Sequence, residues 1–178
     1  MAPNSQVETF AALQLEIDSW RWRGVPIFIR AGKCLPVTTT EVVVNLKRPP
    51  LSMLSPGKGN YVRFRLSPEV TIAFGARVKQ AGDTLEGEET ELSFVDKPEG
   101  DEMDAYERLL GDAMEGDPGL FARQDAVEAS WAIVDPVLHN QTPVFEYEPG
   151  TWGPAEEERL VADAGGWHCP AASVAVQT

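Results

Sequence analysis

Cysteine, histidine and basic residues are the scarce commodities of this chain of 178 residues. Two cysteines, Cys34 and Cys169, are too few and too far apart for a disulfide framework or a zinc site, and both are expected to be reduced thiols of a cytoplasmic protein. Two histidines, His139 and His168, stand in no recognisable catalytic constellation, so neither is expected to serve as a general base. Fifteen lysines and arginines against 28 acidic residues leave a net charge of −13. That balance excludes the basic face a nucleic acid requires and disfavours an anionic membrane surface. No apolar run approaches the ~18 residues of a spanning helix. The opening Met1-Ala2-Pro3-Asn4-Ser5-Gln6 has neither the basic nor the apolar region of a signal peptide.

Motifs are missing too. A dinucleotide fold needs a glycine-rich turn between strand and helix, where backbone N–H groups meet the pyrophosphate. Gly57-Lys58-Gly59 and Gly165-Gly166 do not open such a helix. No serine stands in a G-x-S-x-G elbow. The acidic runs Asp101-Glu102-Met103-Asp104 and Glu86 to Glu91 lack the spaced ligands and central glycine of a calcium loop. No catalytic residue, metal ligand or cofactor contact is expected from these residues.

The pattern that is present runs from strands to helices. Leu13 to Ile17 alternates in period two, and Val25-Pro26-Ile27-Phe28-Ile29 is a β-branched, aromatic run. Between them, Asp18 to Gly24 reads as a turn or short helical link whose tryptophans contribute partly to the core. Further strands are expected over Glu41–Lys47, Tyr61–Leu66, Val70–Lys79 and Glu88–Val95, with Pro49-Pro50 and a Gly/Pro/Ser-rich loop over Ser52–Asn60 separating two of them. Thr90, Leu92 and Phe94 share one parity. A helix starts at Asp104, which with Glu107 spells a capping box, and stops at Gly116. A second is expected from Gln124 or Asp125, broken near its end by Pro136, and a third over Pro154–Ala164, closed by Gly165-Gly166. The expectation is one α+β domain over 1–178, a large and mainly antiparallel sheet with helices packed on one face.

The first long strand ends at Gly32-Lys33-Cys34. Gly32 permits a turn, a bulge or close approach by a ligand, and Lys33 supplies a compact cation with three donors. The whole stretch Arg23-Gly24-Val25-Pro26-Ile27-Phe28-Ile29-Arg30-Ala31-Gly32-Lys33 resembles the strand and loop that open the substrate site in the second domain of glucose-6-phosphate dehydrogenase. Thr9-Phe10-Ala11-Ala12-Leu13, Asp104-Ala105-Tyr106-Glu107-Arg108-Leu109-Leu110, and Tyr147 with Gly150-Thr151-Trp152-Gly153-Pro154 resemble the same family in the same order.

That resemblance implies a substrate-binding and dimerisation domain of an NADP-dependent oxidoreductase. Lys33 would contact the sugar phosphate, and the sheet would pair with its counterpart in a homodimer. The coenzyme fold and the catalytic histidine lie in an N-terminal domain of that family, so this chain is expected to hold no NADP and to be inactive alone. The family carries a second basic residue five positions after the lysine, where this chain has Thr38. A lost charge-assisted hydrogen bond is worth about 1.5–3 kcal/mol, which points to altered affinity or another sugar phosphate. Arg65 stands at one basic contact of a second, structural NADP, but Trp152 replaces another, and that site is not expected. The alternative is a stand-alone paralogue acting as a scaffold or a sugar-phosphate sensor.

Overall fold

The computed structural model describes residues 5, 7–48, 59–83, 85–96, 104–138 and 142–171. Contacts divide the chain into two compact units. One holds helices α1 (Ala105–Glu115) and α2 (Gln124–Val134). The other holds the strands and the C-terminal segment from Tyr147 onward.

Among the described residues every strand pairing is antiparallel, and the α+β class stands. The described strands form two sheets. β1 (Phe10–Leu15) pairs with β2 (Ile27–Gly32), and a four-stranded sheet runs in the order β3 (Thr40–Asn45), β4 (Tyr61–Ser67), β5 (Thr71–Lys79), β6 (Gly87–Val95). The turn before β2 departs from expectation. Trp20 is 90% exposed with the Arg21 guanidinium 5.6 Å from its ring centre, so it contributes nothing to a core. The chain there is short enough to close through Trp22 and Arg23 N–H groups on the Ser19 carbonyl, which turns the indole outward.

Register sorts the larger sheet into two chemistries, because cross-strand partners share a face. Val42, Phe64, Ile72 and Phe94 form one row, and Val44, Val62, Phe74 and Leu92 the next. The opposite face carries Glu41, Tyr61, Arg63, Arg65, Arg77, Glu89 and Glu91 around the buried Thr71 and Ala73. Tyr61 lies across Gly75, where a Cβ would fall 2.1 Å from its ring, and the Tyr61 hydroxyl donates to Glu91 at 2.7 Å. Arg63 bridges Glu91 and Glu41, at 2.5 and 3.3 Å, and Arg65 Nε donates to Glu41 at 2.5 Å.

In the helical unit, the Asp104 carboxylate accepts from the Tyr106 N–H at 2.9 Å, one residue short of the reciprocal box with Glu107, and Gly116 ends α1 at φ +76°. Pro136 converts the end of α2 into a 3-10 turn over Asp135–Val137. The third helix is not continuous as expected. A 3-10 turn (Ala155–Glu157), one α turn, α3 (Glu158–Val161), and a second 3-10 turn (Ala162–Ala164) replace it. Val161 is buried at 2% exposure, and α3 lies against β1. Tertiary anchoring at Glu157 and Val161 sets the winding, overriding propensity in so short a segment. The loop expected over 52–60 lies outside the described residues except for Gly59 and Asn60, as does His139.

Glu41 is the hub of the polar face. Burial pushes its carboxyl upward, but hydrogen bonds from Arg65 and His168 and the charges of Arg65 and Arg63 outweigh that and hold it below the ordinary 4.5. Its stabilising contribution is therefore complete above pH 4.5 and lost as pH falls through the lower folded value. Glu41→Gln should unfold at lower urea concentration than wild type at pH 7, by about 3 kcal/mol for a broken buried pair. The gap should narrow below pH 4.5; a constant gap from pH 7 to 3 would contradict this account. Gly75→Ala forces the Tyr61 ring from its hydrogen bond, so denaturant titration should show a loss of about 1–3 kcal/mol, as overpacking does, with no loss counting against that packing.

Candidate functional site

Lys33 sits immediately past β2, and its backbone is tied on both sides. Its N–H donates to the Thr9 carbonyl at 2.8 Å. Its own carbonyl accepts from the Tyr147 hydroxyl at 2.7 Å, and that hydroxyl also lies 3.2 Å from the Thr9 carbonyl and 3.4 Å from Thr9 Oγ1. The next residue, Cys34, has φ +53°, the left-handed region that a non-glycine residue enters at a cost. Gly150 N–H holds the Cys34 carbonyl at 2.8 Å. The Lys33 side chain remains exposed. A fixed backbone thus presents a cation to solvent.

The other two expected site residues are placed differently. Gly32 is the last residue of β2, half-buried and paired with Phe10. A Cβ at Gly32 would stand 2.7 Å from the Phe10 ring and 3.3 Å from Leu35, so the close neighbours of this glycine are side chains of the protein itself. Thr38 is exposed in the stretch before β3. Its neighbour Thr39 is fastened by its hydroxyl to the Ser67 carbonyl at 2.6 Å.

The loop is held from behind by residues 147–171, which cover one face of β1 and β2. Phe10, Ala12, Arg30 and Phe28 share that face by register. Phe10 packs on Tyr147 with ring centres 5.5 Å apart, and Gly153, at φ +125°, lets the chain pass where a Cβ would meet the Phe10 ring at 2.5 Å. Arg30 lies between the rings of Trp152 and Trp167, at 4.7 and 4.9 Å. Its Nη1 donates to Glu157 Oε1 at 2.8 Å, with the two side chains only 6% and 4% exposed, and its Nη2 donates to the His168 carbonyl at 3.1 Å. Burial pushes the Glu157 carboxyl above its ordinary value despite the hydrogen bond and charge of Arg30, and its Oε2 has no hydrogen-bond partner among the described residues. His168 then reaches the larger sheet, with Nε2 2.8 Å from Glu41 Oε2, and Arg65 donates to the Ala171 carbonyl at 3.0 Å. This pair gives His168 a structural partner that the sequence alone did not reveal.

No cluster of three or more His, Cys, Asp or Glu residues suited to a metal occurs among the described residues. A Rossmann-type dinucleotide crevice, a parallel βαβ unit with a glycine turn at a helix N-terminus, does not occur among the described residues, whose strand pairings are antiparallel and whose α1 opens on the Asp104 carboxylate. A depression of about 110 Å³ on the polar face, lined by Tyr61, Arg77 and Glu89 among others, does not include Lys33. It is smaller than the roughly 300–1,000 Å³ of small-molecule pockets.

Comparison with known proteins agrees with this anatomy. Residues 1–168 match the family model of the glucose-6-phosphate dehydrogenase C-terminal domain. The chain is 41% identical over 169 residues to glucose-6-phosphate 1-dehydrogenase of Aggregatibacter actinomycetemcomitans, covering 92% of this chain and 34% of that protein. It is 40% identical over 178 residues to glucose-6-phosphate 1-dehydrogenase 1 of Mycobacterium tuberculosis (strain ATCC 25618 / H37Rv), covering 96% and 37%. Among solved structures, glucose-6-phosphate 1-dehydrogenase from Mycobacterium avium superposes with a TM-score of 0.84 at 39% identity, covering 97% of this chain and 38% of that one. A glucose-6-phosphate dehydrogenase in complex with its substrate glucose-6-phosphate gives 0.72 at 30% identity, covering 91% and 35%. The chain spans about a third of the length of the curated relatives it matches. Because that family match runs over residues 1–168, nearly the whole chain, the chain belongs to the glucose-6-phosphate dehydrogenase C-terminal domain family.

Proposed function

We propose that this chain is a single substrate-binding and dimerisation domain of a cytoplasmic, NADP-dependent glucose-6-phosphate 1-dehydrogenase, which oxidises glucose 6-phosphate to 6-phosphogluconolactone in the pentose phosphate pathway. The observation that carries the reading is the Lys33 loop. Its backbone is bonded at both the N–H and the carbonyl while its ammonium stays in solvent. A cation so placed meets a phosphate dianion with little loss of backbone freedom on binding. Gly32 and Thr38 flank it as the other proposed substrate contacts. Thr38 donates a neutral hydrogen bond where a cation would give a charge-assisted one. On this reading the hydride acceptor and the proton-accepting base belong to a separate coenzyme domain, as the family resemblance implies.

The second element is the apolar face of the larger sheet. Val42, Ile72, Phe74, Leu92 and Phe94 are each between 40% and 61% exposed. Contiguous apolar rows of this kind call for a covering surface, and a second copy of the same sheet supplies one with two-fold symmetry.

Glucose 6-phosphate titrated calorimetrically into the chain should bind, and Lys33→Ala should weaken it by about tenfold or more, the ~1.5–3 kcal/mol of one charge-assisted contact. Unchanged affinity would remove Lys33 from the site. The chain alone should form no NADPH from glucose 6-phosphate and NADP; turnover by contaminant-free protein would relocate the chemistry. Sedimentation equilibrium should show a dimer that Phe74→Lys dissociates, and a wild-type monomer at tens of micromolar, on the order of a weak interface, would overturn the self-pairing.

A further inference from the structure

We infer that Tyr147 is a positioning residue, whose hydroxyl sets the Lys33 cation through the loop backbone; the inference rests on the assignment of Lys33 as a sugar-phosphate contact. Packing does not require the hydroxyl. A phenylalanine ring would fill the same place against Phe10, 5.5 Å away. The oxygen instead converges on three atoms of the loop's two sides, the Lys33 carbonyl at 2.7 Å, the Thr9 carbonyl at 3.2 Å and Thr9 Oγ1 at 3.4 Å.

Its donated hydrogen bond fixes the peptide joining Lys33 to Cys34. That peptide leads into the left-handed φ of +53° at Cys34, a conformation an unrestrained cysteine leaves. Gly150 N–H holds the far side of the same residue at 2.8 Å. With the phenol gone, the Lys33 carbonyl loses its donor and Cys34 relaxes toward negative φ. The Lys33 Cα–Cβ vector then swings with the peptide, and the ammonium at the end of four methylenes is spread over many positions. The expected consequence falls on substrate affinity rather than on folding.

The test is a double-mutant cycle on the chain with glucose 6-phosphate as the titrant. Tyr147→Phe should weaken binding about five- to tenfold, the range of one buried hydrogen bond, with an unchanged circular dichroism spectrum. In the Lys33→Ala background the same change should have no further effect, because Tyr147 acts through that lysine. Additive losses would overturn the inference, since a merely structural role weakens both backgrounds alike. A second readout needs no sugar. In a Cys169→Ser background, the exposed Cys34 thiol should react with iodoacetamide severalfold faster once Tyr147→Phe frees the loop, and an unchanged rate overturns the positioning. If Lys33→Ala alone leaves binding intact, the substrate reading of Lys33 fails, and the alkylation rate still decides whether Tyr147 holds the loop.

Discussion

The C-terminal strap is fastened by one buried cation. Arg30, on the inner face of β2, satisfies its charge with Glu157 and its planar faces with Trp152 and Trp167. A guanidinium suits the position because it can stack and donate at once, which an ammonium cannot. Removing the arginine would leave Glu157 buried without a counter-charge, which is far costlier than the pair is worth intact. Everything that shapes the Lys33 loop follows from that anchor. Tyr147 and Gly150, which tie the loop, belong to the same strap as Trp152 and Glu157. His168 and Ala171 carry the strap onward to Glu41 and Arg65, so one segment joins two sheets that no strand pairing connects among the described residues.

The two faces of the four-stranded sheet divide the labour between holding together and being covered. On the polar face, Tyr61, Arg63, Arg65, Glu41 and Glu91 satisfy one another, and the strap closes over part of them. The apolar face has valine, isoleucine, leucine and phenylalanine in register across all four strands. Such rows fix the register, because a slip by one residue would exchange the two chemistries. The same register that specifies the sheet thus gathers its apolar side chains on one side.

Local signals were legible in the sequence wherever the cause is local. Period-two alternation marked β6 and the last residues of β1, though it ran on to Ile17, two residues past that strand; Asp104 and Gly116 marked the ends of α1, and Pro136 marked the change of winding after α2. The Gly32-Lys33 turn was visible as a strand running into a glycine. What could not be read was long-range. The pairing of Arg30 with Glu157, the bond from Tyr147 to Lys33 and the outward turn of Trp20 depend on which distant groups arrive beside them. The expected helix over Pro154–Ala164 broke up for the same reason, its turns being set by what Glu157 and Val161 bury against. A sequence-level hint did exist: an arginine in an apolar strand, with Trp152 before Gly153-Pro154 and Trp167 after Gly165-Gly166, is the composition of a stacked cation.

The bonds that shape the lysine loop link residues 114 and 138 positions apart, and the anchoring ion pair links residues 127 apart. During synthesis, β1, β2 and the turn between them therefore leave the ribosome long before their clamp exists. Lys33 can emerge, but its final bearing must await a strap made more than a hundred residues later, because loop closure over such spans precedes any reward from the contact. A polypeptide cut short ahead of Tyr147 would keep the six strands β1 to β6 and still lack the bonds that fix the Lys33 backbone.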